Sequence, residues 1–293
     1  MGIPFVRDFD PRYGEAVQVS PRITRVVARN PGPFTFTGSG TYLVGEERGC
    51  VVIDPGPEDA DHTEAVLKGA PGPILAILVT HTHRDHCGGA AALRAATGAP
   101  ALAFGAHPSS PRDASPALDE GADHGFAPDR ELEDGEAVEA PGARLTAIHT
   151  PGHIANHLCF VLEEENALFT GDHVMGWATT VVAPPDGAMG AYMASLDRVA
   201  ALEPSILYPT HGAPVADPLP FLAAVRAHRE ARDAAILEAL RVGPLDAPGI
   251  VGLVYDGLDP ALRPAAALNV QAHLAEHERT GAVVRTNGTY AIA

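Results

Sequence analysis

Residues 81–87 read HTHRDHC, which puts His81, His83, Asp85 and His86 within six positions. Neutral imidazole nitrogens and carboxylate oxygens together bind divalent transition metals. His81 and His83 stand at i and i+2 after a short apolar run, so extended backbone would turn both to one side. Asp85 and His86 follow on a turn and can face a neighbouring ion. Four ligands this close would strain a single tetrahedral site, so two ions are expected. Three later turns offer further candidates: TPGH (150–153) with His153, TGDH (170–173) with Asp172, and PTHG (209–212) with His211. Each ends a β-like run, and groups that do chemistry gather in loops held by a rigid sheet.

Other residues could support such a centre. Asp54 closes the run CVVID and could orient a ligand; a plain turn role in DPG is the alternative. His157, four residues past His153, invites the same reading. In GWATT (176–180), Trp177, Thr179 and Thr180 could line a pocket, with ordinary packing as the alternative. His149 reads as a strand-end residue or a support behind a ligand. His62, His107, His124, His228, His273 and His277 read as structural or exposed histidines, and Cys87 as packing.

The elements that must carry these residues are legible in outline. From 23 to 54, the β-rich runs ITRVVAR, TYLVG and CVVID alternate with turn signals. A helix is expected at 62–69, a buried strand at 74–80 and a second helix at 88–97. The acidic, Pro-rich stretch 108–136 reads as a solvated loop, with Asp134-Gly135 as a tight turn. Strands are expected at 144–149, 157–162, 167–171 and 206–210, with a helix at 190–202. The character changes near 218. Three helices then precede a hairpin around Asn287-Gly288, which is winged-helix order. Two domains are therefore expected, 1–218 and 219–293.

Composition narrows the function. A net charge of −17 repels polyanions, and residues 219–293 hold seven Arg against eight Asp plus Glu, so duplex DNA is not the expected partner. Three cysteines without a CxxC pair fit a reducing compartment. No secretory leader is read at MGIPFVRDFDPRYGEA, and the run ILAILV is too short to span a bilayer. The expectation is a soluble, cytoplasmic protein with no membrane partner; a homodimer is an open alternative.

HTHRDH, TPGH, GDH and THG in this order resemble the metallo-β-lactamase superfamily over residues 20–215. That resemblance implies an α/β fold, an αββα sandwich with a metal site at one edge of its two sheets, followed here by the small winged-helix-like domain. It implies His81, His83 and His153 on one zinc, Asp85, His86 and His211 on a second, and Asp172 bridging them. Iron and manganese are alternatives to the two zinc ions. The stretches NPGPFTFTGSGTYLVG (30–45) and TPGHIANHLCFVLEEENALFTGDHVMG (150–176), with the tail, resemble more narrowly the β-lactamase-like protein 2 family. Some of its members cleave single-stranded RNA. Thr210 stands where that family often has Gly, and Cys87 where a residue such as Ser is usual.

The implied chemistry is hydrolysis. Hydroxide held between two zinc ions would be the nucleophile, since metal binding lowers the pKa of water to near neutrality. Asp85 and Asp172 would partly neutralise the ions and orient it. The bond is expected to be a phosphodiester, in single-stranded RNA or a small molecule, with a thioester as in glyoxalase II the alternative. A true β-lactamase is disfavoured because Asp172 stands where those enzymes usually have Cys or Ser. A mononuclear iron persulfide dioxygenase on the same fold, and a nucleic-acid-binding regulator working through the tail, are the other classes to be tested.

Overall fold

The computed structural model describes residues 2–108 and 121–293. Part of the expected 108–136 loop, residues 109–120, lies outside them. Two sheets face each other. The first runs in the order β1 (Val17–Gln18), β2 (Ile23–Val27), β3 (Gly40–Glu46), β4 (Gly49–Ile53), β5 (Ile74–Leu78), β6 (Ala101–Ala103), β7 (Arg130–Glu131). It is antiparallel from β1 to β4 and parallel from β4 to β7. The second contains β8 (Ala137–Ala140), β9 (Ala143–His149), β10 (Leu158–Leu162), β11 (Ala167–Gly171) and β12 (Ile206–Pro209). β8 to β11 pair antiparallel, and β12 joins β11 in parallel.

Period-2 alternation decides which side chains meet. Tyr42 and Val44 of β3, Val51 and Ile53 of β4, and Leu158 and Phe160 of β10 point into the core between the sheets. Their neighbours Leu43, Cys50 and Val52 face outward, where Val66 of α1 (Ala60–Gly69) and Leu93 of α3 (Ala90–Thr97) cover them. On the far side, Cys159 and Leu168 meet Leu196 and Val199 of α4 (Met189–Ala201) and Phe221 and Val225 of α5 (Pro218–Leu240). The result is the expected αββα sandwich. Strands buried on both faces explain why these runs are apolar throughout.

Most boundaries shift by one or two residues from expectation, and two differences have a visible cause. α1 begins at Ala60 rather than 62, because the Asp59 carboxylate caps it by accepting from Asp61 N and His62 N. The turn expected to carry Asp85 and His86 is a single helical turn, α2 (Arg84–Cys87). Cys87 packs in the outer core as expected.

Past the sandwich, the last turns of α5 (Ile236, Leu240) pack with α6 (Ala247–Val254), α7 (Arg263–Thr280), β13 (Val283–Thr286) and β14 (Thr289–Ile292) around a separate core. The β13–β14 turn places Asn287 and Gly288 at φ 50° and 85°, the double left-handed conformation that this dipeptide favours in hairpins. Among the described residues, no helix is long and apolar enough to cross a membrane.

Candidate metal centre

The candidate residues converge at one edge of the sandwich, where β4, β5, β9, β11 and β12 all end. The two sheets are stitched there by Leu158 N–H donating to Thr80 O (2.7 Å) and Gly40 N–H donating to Thr210 O (2.7 Å). His81 leaves the end of β5, and α2 lifts Asp85 and His86 back toward it. Three groups of atoms come together: His81, His83 and His153; His81, His86 and Asp172; and Asp85, His86 and His211.

In the first group, His83 Nδ1 lies 3.0 Å from His81 Nε2 and 3.1 Å from His153 Nε2. In the second half of the cluster, His211 Nε2 lies 3.2 Å from Asp85 Oδ2 and 3.3 Å from Asp172 Oδ1. His86 Nε2 is 3.4 Å from Asp85 Oδ2 and 3.6 Å from Asp172 Oδ1. Asp172 also reaches the first group, with Oδ2 3.8 Å from His153 Nε2. It therefore stands between the two halves.

The second ring nitrogens of His81, His86, His153 and His211 are tied down behind the cluster. His86 Nδ1–H donates to Asp54 Oδ2 (2.8 Å), His153 Nδ1–H to Val181 O (2.7 Å) and His211 Nδ1–H to Gly38 O (3.2 Å). The Thr80 hydroxyl donates to Asp54 Oδ2 (2.8 Å), so its oxygen is left to accept from His81 Nδ1–H (3.1 Å). Each bond fixes a tautomer and turns a lone pair inward.

Asp54 is the hub of this support. Its carboxylate also accepts from Thr80 N (2.8 Å) and Thr210 Oγ1 (2.8 Å), and it is fully buried. His157 acts on Asp172 instead. Its Nε2 accepts from Asp172 N–H (3.2 Å), which leaves Nδ1–H to donate to Thr150 Oγ1 (2.8 Å). Gly171, at φ 49°, lets this ring approach, since a Cβ there would lie 2.6 Å from His157 Nε2.

Nearby candidates divide. Trp177 is half-buried and stacks on Phe36 (centroids 4.8 Å apart, planes at 12°) beside Gly212, which follows His211. Thr179 is half-buried, whereas its neighbour Thr180 donates its hydroxyl to Asp172 O (2.7 Å). His149 is a strand-end residue whose ring stacks on Phe104. His107 is more involved than expected, with Nδ1 2.8 Å from the Thr82 hydroxyl. Sequence reasoning missed Phe36, the Thr80, Thr150 and Thr210 hydroxyls, and buried His173.

Two observations fit divalent ions. His86 Nε2, His211 Nε2 and Asp172 Oδ1 are buried without hydrogen-bond partners, although such atoms are costly to leave unmatched. The charges point the same way. Burial depresses His86, but the Asp85, Asp172 and Asp54 carboxylates outweigh it and hold the imidazole well above its ordinary value. His211 is raised against burial by Asp172 and Asp85. Burial likewise opposes ionisation of Asp172, yet His211 and His86 hold it well below the carboxylate range. The carboxylates thus call for positive charge at this point, which divalent cations supply in metal sites while leaving the Nε2 lone pairs free to bind. His81 differs: burial and the facing His86, His83 and His153 rings keep it well below its ordinary value, and so neutral and ready to bind.

With this geometry, comparison with known proteins becomes informative. Residues 35–211 match the family model of the metallo-beta-lactamase superfamily, and residues 247–290 match that of the beta-lactamase associated winged helix domain. The chain belongs to the metallo-beta-lactamase superfamily and is one of its metal-dependent hydrolases. It is 34% identical to the lactamase-like protein adaB of Aspergillus niger, over 92% of this chain and 86% of that one. It is 37% identical to an atrochrysone carboxyl ACP thioesterase of Aspergillus chevalieri, over 79% of this chain and 70% of that one. A beta-lactamase domain protein from Burkholderia ambifaria has the same fold, with a TM-score of 0.82 at 24% identity, over 98% of this chain and 96% of that one.

Proposed function

We propose that the chain is a dinuclear zinc hydrolase that acts on thioesters. His81, His83 and His153 would hold one ion, Asp85, His86 and His211 the other, and Asp172 both. The observation that carries this reading is the convergence of inward-facing lone pairs, with the opposite ring atoms of His81, His86, His153 and His211 fixed behind them. Two bound ions would supply a nucleophilic hydroxide at neutral pH and polarise the scissile carbonyl. The chain's own residues do the rest. His157 and Thr180 hold the backbone of Asp172 from its N–H and its carbonyl, so the carboxylate stays aimed between the half-sites. The Phe36–Trp177 stack gives the edge an apolar wall that can receive a planar acyl group and shed water from it.

The thioester reading draws on relatives named as acyl-carrier-protein thioesterases. It displaces the phosphodiester expectation from first place. A second reading, cleavage of single-stranded RNA, rests only on the motif resemblance to the β-lactamase-like protein 2 family; the named relatives are lactamase-like proteins and thioesterases. A chain of charge −17 is a poor electrostatic fit to it.

The test is a direct comparison on metal-quantified enzyme. An aromatic acyl N-acetylcysteamine thioester and bis(p-nitrophenyl) phosphate are offered at equal concentration. Hydrolysis of the thioester should exceed that of the diester by at least about a hundredfold in kcat/KM, a gap of nearly 3 kcal/mol in transition-state stabilisation. Preference for the diester would overturn the assignment.

A further inference from the structure

The loop between Trp177 and α4 has no regular secondary structure, yet two of the candidate ligands lean on it. His153 Nδ1–H donates to Val181 O (2.7 Å), which sets the direction of that ring. The Thr180 hydroxyl donates to Asp172 O (2.7 Å) and lies 3.1 Å from His173 O. Whatever fixes residues 180–182 therefore fixes His153 and Asp172 together.

That anchor comes from the C-terminal helices. Arg229 of α5 donates from Nη2 to Thr180 O. Val182 N–H donates to Asn269 Oδ1 of α7 (3.0 Å). The Val181 carbonyl is thus flanked on both sides by backbone groups held from the tail. The two anchors also hold each other, since Arg229 Nη1 donates to the same Asn269 Oδ1 (3.3 Å). Asn269 Nδ2 donates back to Ala265 O (3.2 Å), so the amide has one orientation that satisfies all its neighbours. Arg229 lies over the Tyr192 ring of α4 at 4.9 Å and is only 3% exposed. Among the described residues it forms no ion pair. A guanidinium buried without a carboxylate is expensive to retain. Here its hydrogen bonds go to the strip behind the cluster. Val182 itself is fully buried with Met189 and Tyr192 of α4 and Ala272 of α7.

We propose that the C-terminal module is a working part of the metal centre: Arg229 and Asn269 are positioning residues that clamp Thr180–Val182 and thereby aim His153 and Asp172. The inference rests on the metal-centre reading, and is independent of whether the substrate is a thioester. It gives the winged-helix-like module a task that requires no nucleic acid.

The experiment is zinc binding by chelator competition on metal-stripped full-length protein, with thermal unfolding of the same metal-free samples. Arg229→Met and Asn269→Leu remove the two anchors. Asn269→Asp keeps an acceptor for Val182 N–H and for Arg229. Loss of support behind a metal-ligating histidine typically costs 10- to 100-fold in affinity. Arg229→Met and Asn269→Leu should each weaken one of the two ions by at least about tenfold, while Asn269→Asp stays within about threefold of wild type. If Arg229→Met does not unfold cooperatively, the Asn269 pair decides. Wild-type affinity for both ions in folded Asn269→Leu would overturn the proposal, as would an equal loss at both ions that Asn269→Asp fails to restore. Wild-type protein that takes up no divalent ion would instead overturn the metal-centre reading beneath it.

Discussion

His86 reaches the cluster through Nε2 only because Nδ1–H is committed to Asp54, and Asp54 is committed in turn to Thr80 and Thr210. Asp54 accepts at every one of these contacts, so an amide at this position would turn donors against donors. Its backbone sits at φ 51°, a conformation asparagine tolerates well, so Asp54→Asn changes the hydrogen bonding with little backbone strain. Zinc affinity in Asp54→Asn should fall about 10- to 100-fold by chelator competition, with the fold retained. Unchanged affinity would remove Asp54 from the support of His86. At this scale the seven candidate ligands were legible, because histidine and aspartate packed at strand ends have few other uses. Their supports were legible in part: Asp54 and His157 stood out, but Thr80, Thr150 and Thr210 did not. Each of these matters for one hydroxyl, and threonine is common in strands for reasons of packing. His173 was also hidden. It follows Asp172 directly, but its ring packs against Tyr192, where burial keeps it neutral with a pKa of about 3.

At the scale of elements, strand identity was written in apolar runs and strand ends in the turns that follow them. What no run reveals is which strands become neighbours: β12 joins the sheet beside β11 across all of α4, and that pairing brings His211 opposite Asp85. The PGH turn shows how closely elements must approach. Gly152 has φ 149°, and a Cβ on it would lie 2.3 Å from Tyr192 Cα on α4. Ala188 N–H donates to Gly152 O (2.9 Å) and the Ser195 hydroxyl to Pro151 O (2.7 Å), so helix and turn are docked by backbone as well as shape. Gly152→Ala would push α4 away from the turn that carries His153. The expected cost is about 2–3 kcal/mol, read from chemical denaturation of the metal-free protein. An unchanged midpoint would mean that this docking is looser than the contacts imply. α1 and α2 were misread at their edges because a single capping carboxylate, or one short helical turn, leaves almost no periodic signal.

For the whole molecule, the order of three helices and a hairpin announced the tail, and its near balance of charge argued against duplex DNA. Its connection to the sandwich could not be read from sequence. α5 packs Phe221, Leu222 and Val225 against the second sheet and Ile236 and Leu240 into the tail's own core, so one helix serves both. The hydrogen bonds of Arg229 and Asn269 then reach back to the strip behind His153 and Asp172. The central claim is that this assembly holds two divalent ions with Asp172 between them. Counting zinc per chain by elemental analysis, in wild type and in Asp172→Ala after chelator stripping and reloading, tests it most directly. Wild type should take up two ions per chain and Asp172→Ala should fall toward one. One ion or none in wild type, or two retained in Asp172→Ala, would contradict it.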